Sequence, residues 1–223
     1  MSVGNIFAED IRLRMEKGRY PRSSILHPRV PKQWRLAEIA RRLVEISGSG
    51  AAASLTLAFG LVLEAQRQGE PVGWITPSDS FFYPPDAAQG GVDLAALVIV
   101  RVPESRAVPR AGEKLLRSGA FGLVLLDIGA AEIPTPLQAR LAALAQQHHA
   151  ALVCLTEKES REPSLGSLVS LRVQARRVKT SEGQFECALK VLKDKRHGPT
   201  WSQTEVCYGP LDGELTVEPA GLR

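Results

Sequence analysis

Four short apolar runs constrain this chain most: Val72–Ile75, Leu97–Val102, Gly122–Leu126 and Ala151–Leu155. A run with no polar alternation suits a strand covered on both faces, as helices on each side of a parallel sheet require. Between the runs lie stretches of helical character. Ala52–Gln68 carries an apolar face at Leu55, Phe59 and Val62, Ala111–Arg117 is helix-forming, and Leu137, Leu141 and Leu144 recur at helical spacing. A short helix over Trp34–Arg42 leads into a fifth, brief strand, Leu43–Ile46, which runs into the turn Ser47-Gly48-Ser49-Gly50. Strands alternating with helices specify an α/β fold with a mostly parallel central sheet flanked by helices.

The pattern then changes. Val169, Leu171, Val173 and Ala175 alternate with Ser170, Arg172, Gln174 and Arg176, and Phe185, Cys187, Leu189 and Val191 alternate in the same way. Glu182-Gly183 stands between the two segments as a turn, so the period of two predicts a hairpin with one polar face. Gln203–Tyr208 adds a candidate final strand. The expected architecture is a parallel core with an antiparallel C-terminal hairpin extension.

Length fits one domain: 223 residues divide into a core over 34–212, a basic and amphipathic arm over 1–33, and a tail over 213–223. The arm reads as a helix around Ala8–Lys17 followed by an irregular stretch with Pro21, Pro28 and Pro31. Aromatic residues make up only 5% of the chain, so its core must be mostly Leu, Val, Ala and Ile. A net charge of +4 permits nucleic-acid contact without requiring it. Cys154, Cys187 and Cys207 lie far apart, which argues against a disulfide framework or zinc site and suits a reducing cytoplasm. The charged N-terminus lacks an apolar signal core, and the run Ala51–Ala65 is too short for a bilayer, so no membrane association is expected. His148 and His149 suit a helix C-terminus better than a metal site, and no nucleophile elbow is present. No metal, cofactor or catalytic residue is expected.

Several local strings, in order, resemble the RecA ATPase core. Arg42-Leu43-Val44-Glu45-Ile46 leading to Gly48 resembles the strand and first glycine of its phosphate loop, and Ser54-Leu55-Thr56-Leu57 the helix start after it. Gly91-Val92-Asp93 resembles the start of a later strand. Arg117-Ser118-Gly119-Ala120 with Leu123–Asp127 resembles the helix and Walker B strand. Lys190-Val191-Leu192-Lys193-Asp194-Lys195 resembles the strand that reaches a neighbouring subunit's nucleotide. The resemblance covers about residues 42–212.

The departures fall on the phosphate site. A P-loop needs G-x-x-x-x-G-K-[ST], whose amides cradle phosphates and whose lysine neutralises them. Counting from Gly48, Ala53 and Ser54 hold the second glycine and lysine positions; counting from Gly50, Leu55 and Thr56 do. No lysine occurs between Lys32 and Lys114. The catalytic glutamate's place is taken by Ser78, with Asp79 one position off, while Asp127 keeps the Walker B carboxylate. The two DNA-gripping loops shrink to about Glu132–Pro136 and Thr156–Ser167. A RecA-like core with an eroded site and no accessory domains resembles the ImuA family. That resemblance implies a non-catalytic accessory role in SOS-type translesion synthesis, with RecA, an ImuB-like protein and an error-prone DnaE-type polymerase as partners.

Gly48, Gly50, Ser54 and Asp127 form the candidate vestigial nucleotide site. Lys193, Lys195 and Arg196 form the candidate partner-binding group: the period-2 rule sets the two lysines on one face, where they resemble the lysines RecA projects onto a neighbour's ATP. Arg12, Arg14, Lys158, Arg161, Arg176 and Arg177 are candidate contacts for weakly bound DNA or a partner. Two other readings stay open. One is a divergent ATPase or nucleotide sensor relying on Ser49, Ser54, Asp79 and Asp127. The other is a DNA-binding module using the basic hairpin and arm, with Trp201 and Tyr208 as candidate stacking residues.

Overall fold

The computed structural model describes residues 34–48, 53–80, 87–88, 90–181, 184–198 and 202–208. The expected arm, the Glu182-Gly183 turn, Trp201 and the tail lie outside the described residues, as do the side chains of Cys207 and Tyr208. The helices are α1 (Leu36–Ile39), α2 (Ala53–Arg67), α3 (Val108–Arg117) and α4 (Thr135–Gln147). The strands are β1 (Leu43–Ser47), β2 (Val72–Pro77), β3 (Leu97–Val102), β4 (Leu123–Gly129), β5 (Ala151–Thr156), β6 (Leu171–Ser181), β7 (Gln184–Asp194) and β8 (Ser202–Tyr208).

These strands form one sheet in the order β3-β2-β4-β5-β1-β6-β7-β8. Pairing is parallel from β3 across to β6, then antiparallel through β7 to β8. The fold is therefore α/β with an antiparallel C-terminal extension, as the hydrophobic rhythm requires.

Two cores sandwich the sheet. One lies under α2 and runs from Trp74 through Val44, Ile46, Leu125 and Val153 out to Leu189 and Val191 of β7. The other lies under α3 and α4 and holds Ile75, Leu126, Leu152 and Cys154, but reaches no residue of β6 or β7. The parallel strands are thus covered on both faces, and the hairpin chiefly on one. Close approach of α3 depends on Gly112, where a Cβ would meet Leu126 Cδ2 at 2.5 Å.

Several boundaries differ from those the sequence suggests. α1 covers only Leu36–Ile39, because Arg41 turns left-handed (φ 63°) to give its N–H to Ala150 O as the chain swings into β1. α3 starts three residues early, at Val108, with Pro109 in the first turn where no N–H is needed. The fully buried stripe of α2 is Ala58, Leu61, Val62 and Ala65, whereas Leu55 and Phe59 are half-buried. Phe59 instead tilts against Trp74, ring centroids 5.2 Å apart. The Leu97–Val102 run is an edge strand, not a central one, and Val98 is 46% exposed. An apolar run alone does not distinguish the two, because this edge still packs one side on the core.

Candidate functional site

In an open α/β sheet, ligands gather at the C-terminal strand ends. Here those ends bring Gly48, Thr76 and Asp127 to one edge. Gly48 gives its N–H to Thr156 O at 3.1 Å. A Cβ on it would stand 2.7 Å from Ser54 Oγ and 3.3 Å from Ala175 O, so a side chain at this position would have to displace Ser54. Ser54 therefore packs against the glycine rather than standing apart from it. Gly50 and Ser49 lie outside the described residues. Asp127 Oδ2 accepts from the hydroxyls of Thr76 at 2.8 Å and Ser80 at 2.5 Å. Two neutral donors satisfy this half-buried carboxylate, and it makes no ion pair among the described residues. Ser78 Oγ donates to Val102 O at 3.0 Å, stitching the end of β2 to β3, and Asp79 is exposed.

The buried charge of the molecule lies elsewhere, in Arg42, Glu45, Arg172 and Asp194, none of them among the candidate site residues. Glu45, in the middle of β1, is fully buried. Its carboxylate accepts from Ser164 Oγ at 2.6 Å, Leu165 N at 3.1 Å and Thr156 Oγ1 at 3.2 Å, and pairs with Arg172 Nε at 3.6 Å. Arg172 continues outward, donating to Glu162 O at 2.6 Å and Glu159 O at 2.9 Å. One carboxylate and one guanidinium thus pin the segment between β5 and β6 to the sheet. A second buried pair, Arg42 with Asp194 at 2.7 Å, ties the start of β1 to the end of β7. Arg42 also donates to Ser170 O and Ser170 Oγ, both at 2.9 Å. The available signal was a lone glutamate inside an apolar strand, which needs a buried cation.

Lys193 and Lys195 converge on the same segment. Lys193 Nζ donates to Gly166 O at 3.2 Å and Ser167 O at 3.4 Å, and Lys195 Nζ to Ser167 O at 2.6 Å. Lys195 lies past the end of β7, so the lysines meet at the loop rather than along a common strand. Burial first, then the neighbouring Lys195 ammonium, holds Lys193 below the ordinary lysine range. Neither lysine has a carboxylate in salt-bridge range among the described residues. Arg196 leaves this group: its guanidinium donates to Glu38 O at 3.2 Å, at α1.

The remaining candidates scatter. Lys158 Nζ donates to Pro163 O at 3.2 Å, within the pinned loop, where Arg161 is exposed. Arg176 and Arg177 are both exposed but stand on opposite faces of β6. Arg12 and Arg14 lie outside the described residues. His148 caps α4 and His149 is left-handed (φ 58°); both line a shallow groove of about 240 Å³ at the opposite, N-terminal edge of the sheet. Among the described residues no cluster of His, Cys, Asp and Glu could hold a metal, and no helix is long and apolar enough to cross a membrane. Cys154 is fully buried, and burial pushes its thiol far above the usual range.

Comparison with known proteins adds a lineage. RecA of Fusobacterium nucleatum subsp. nucleatum is 33% identical over 93 residues, 42% of this chain and 24% of that protein. RecA of Chlorobium limicola is 34% identical over 93 residues, 42% and 26% of the two chains. The chain is distantly and partially similar to RecA. RecA of a Nocardioides species gives a similar match, 34% over 94 residues, so the likeness holds across unrelated bacteria. The matched stretch spans about a quarter of the length of these curated relatives. No family model matches the chain. The partial likeness and the sheet together make the fold RecA-like.

Proposed function

We propose that this chain is a non-catalytic RecA-like accessory protein that works by binding other proteins. Its setting would be the DNA-damage response and error-prone translesion synthesis, as in the ImuA family it resembles. RecA itself or an ImuB-like scaffold is the direct partner, and a DnaE-type polymerase joins the assembly. The carrying observation is the state of the nucleotide corner. Gly48 lies against Ser54, and Asp127 is engaged by the Thr76 and Ser80 hydroxyls. Polyphosphate binding needs positive charge at that corner, and the sequence has no lysine from Lys32 to Lys114 to supply it.

The loop face at Lys193 and Lys195 is the proposed docking surface. Both ammoniums are fixed by backbone carbonyls and have no carboxylate in salt-bridge range among the described residues, so positive charge is held in place for an anionic partner group. Capture of purified RecA by the immobilised chain, with and without a nucleotide analogue, tests the reading. Capture should occur and should fall at least tenfold in the Lys193→Gln/Lys195→Gln variant. Undiminished capture by that variant removes the lysines from the interface, and absent capture by the wild-type chain excludes RecA as direct partner.

A further inference from the structure

The hairpin end of the sheet leaves one face open. Leu171, Val173, Ala175, Cys187, Leu189 and Val191 turn towards α2 and its core. Strand alternation sends their neighbours the other way. There Arg176, Lys190, Ser202 and Thr204 are all exposed, with half-buried Ala188 between them. The register confirms a shared face: Lys190 lies opposite Ser202, and Ala188 lies opposite both Arg176 and Thr204. Arg176 and Lys190 are diagonal neighbours, about 7–8 Å apart at the backbone. Lys193 follows on the same face, because the register shift at Arg172/Val173 sets it opposite Arg172. Neither Arg176 nor Lys190 has an ion-pair partner among the described residues. Glu186, opposite Val178, is the one acidic residue that alternation places on this face of β7.

We infer that this open face of β6, β7 and β8 is a binding surface for the phosphate backbone of a nucleic acid. Two exposed cations lie on adjacent strands, Arg176 on β6 and Lys190 on β7, so successive phosphates can meet them without the protein entering a groove. Ala188, Ser202 and Thr204 are small, which lets the backbone approach, and the two hydroxyls can donate to phosphate oxygens. Contacts to phosphate carry no base information, so binding through these cations is indifferent to sequence. Affinity then comes from counterion release. This surface stands apart from the protein-partner reading: it uses Arg176 and Lys190, which make no contact with the pinned loop.

The test is a fluorescence-anisotropy titration of single-stranded oligonucleotides with the full chain across a salt series, beside the Arg176→Gln/Lys190→Gln variant. Both substitutions are at exposed positions, and thermal melts check that the fold is retained. Oligonucleotides of different sequence should bind alike. The variant should bind more weakly, with a log–log salt slope shallower by about 1.4, from roughly 0.7 per phosphate contact on single strands. It should still capture RecA as the wild type does, which separates failure of this surface from failure of the accessory reading. Absent binding by the wild-type chain at low salt overturns the inference. So does an unchanged slope in the variant, including the case where Arg12→Gln/Arg14→Gln abolishes binding instead.

Discussion

The two halves of the sheet solve different problems. From β3 to β1, parallel strands lie between two hydrophobic cores, with helices on both faces. From β6 to β8 the strands run antiparallel; β6 and β7 pack one face on the core under α2 and leave much of the other to solvent. The first half explains how the chain folds. The second exposes Arg176 and Lys190 on its open face. Between them sits the loop from β5 to β6, held by Glu45 and Arg172 from one side and by Lys193 and Lys195 from the other.

That division can be broken at its junction. Arg172→Met leaves Glu45 buried without its cation and should destabilise the fold by about 3–5 kcal/mol in urea denaturation. The double variant Glu45→Leu/Arg172→Met should recover much of that loss, because no charge is then stranded. A single-variant cost below about 1 kcal/mol would show that the loop does not depend on the pair.

The same measurement contrasts the halves directly. Leu126→Ala, within the second core, should cost about 2–5 kcal/mol. Val178→Ala, at a position 51% exposed on the hairpin, should stay within about 0.5 kcal/mol. Comparable costs would mean that the hairpin face is covered. Gly112→Ala tests the helix packing of the parallel half. Its Cβ would displace the Leu126 side chain, and overpacking of this kind costs roughly 1–3 kcal/mol.

What the sequence made legible follows the same line. Parallel strands announce themselves as apolar runs because both faces are buried, so Gly122–Leu126 and Ala151–Leu155 nearly coincide with β4 and β5. The hairpin's alternation gave β6 and β7. It also suggested that Arg172 and Gln174 face solvent, whereas both are buried. Alternation reports which residues share a face, not whether a distant loop folds over it. The Arg42–Asp194 pair was illegible for a related reason: its partners are 152 positions apart and meet only once the sheet has formed. The missing phosphate lysine needed no structure, but the Thr76 and Ser80 donors on Asp127 did.

A small stability effect is expected at the lysine pair. Lys193→Gln/Lys195→Gln should change stability by no more than about 1 kcal/mol, since Lys195 is exposed and Lys193 only half-buried, and neither forms a salt bridge among the described residues. It should nonetheless speed amide hydrogen exchange at Val169, whose N–H bonds Gly166 O at 3.3 Å, within the segment the lysines fasten. Unchanged exchange there would show that Glu45 and Arg172 hold the loop alone.

The central claim is that the nucleotide corner no longer serves nucleotide and that the chain acts through its binding surfaces. Calorimetric titration of the purified chain with magnesium ATP tests it most directly. The account expects no saturable binding at millimolar nucleotide. Saturable binding that is lost in Asp127→Asn would contradict it and make the chain a divergent nucleotide-binding protein.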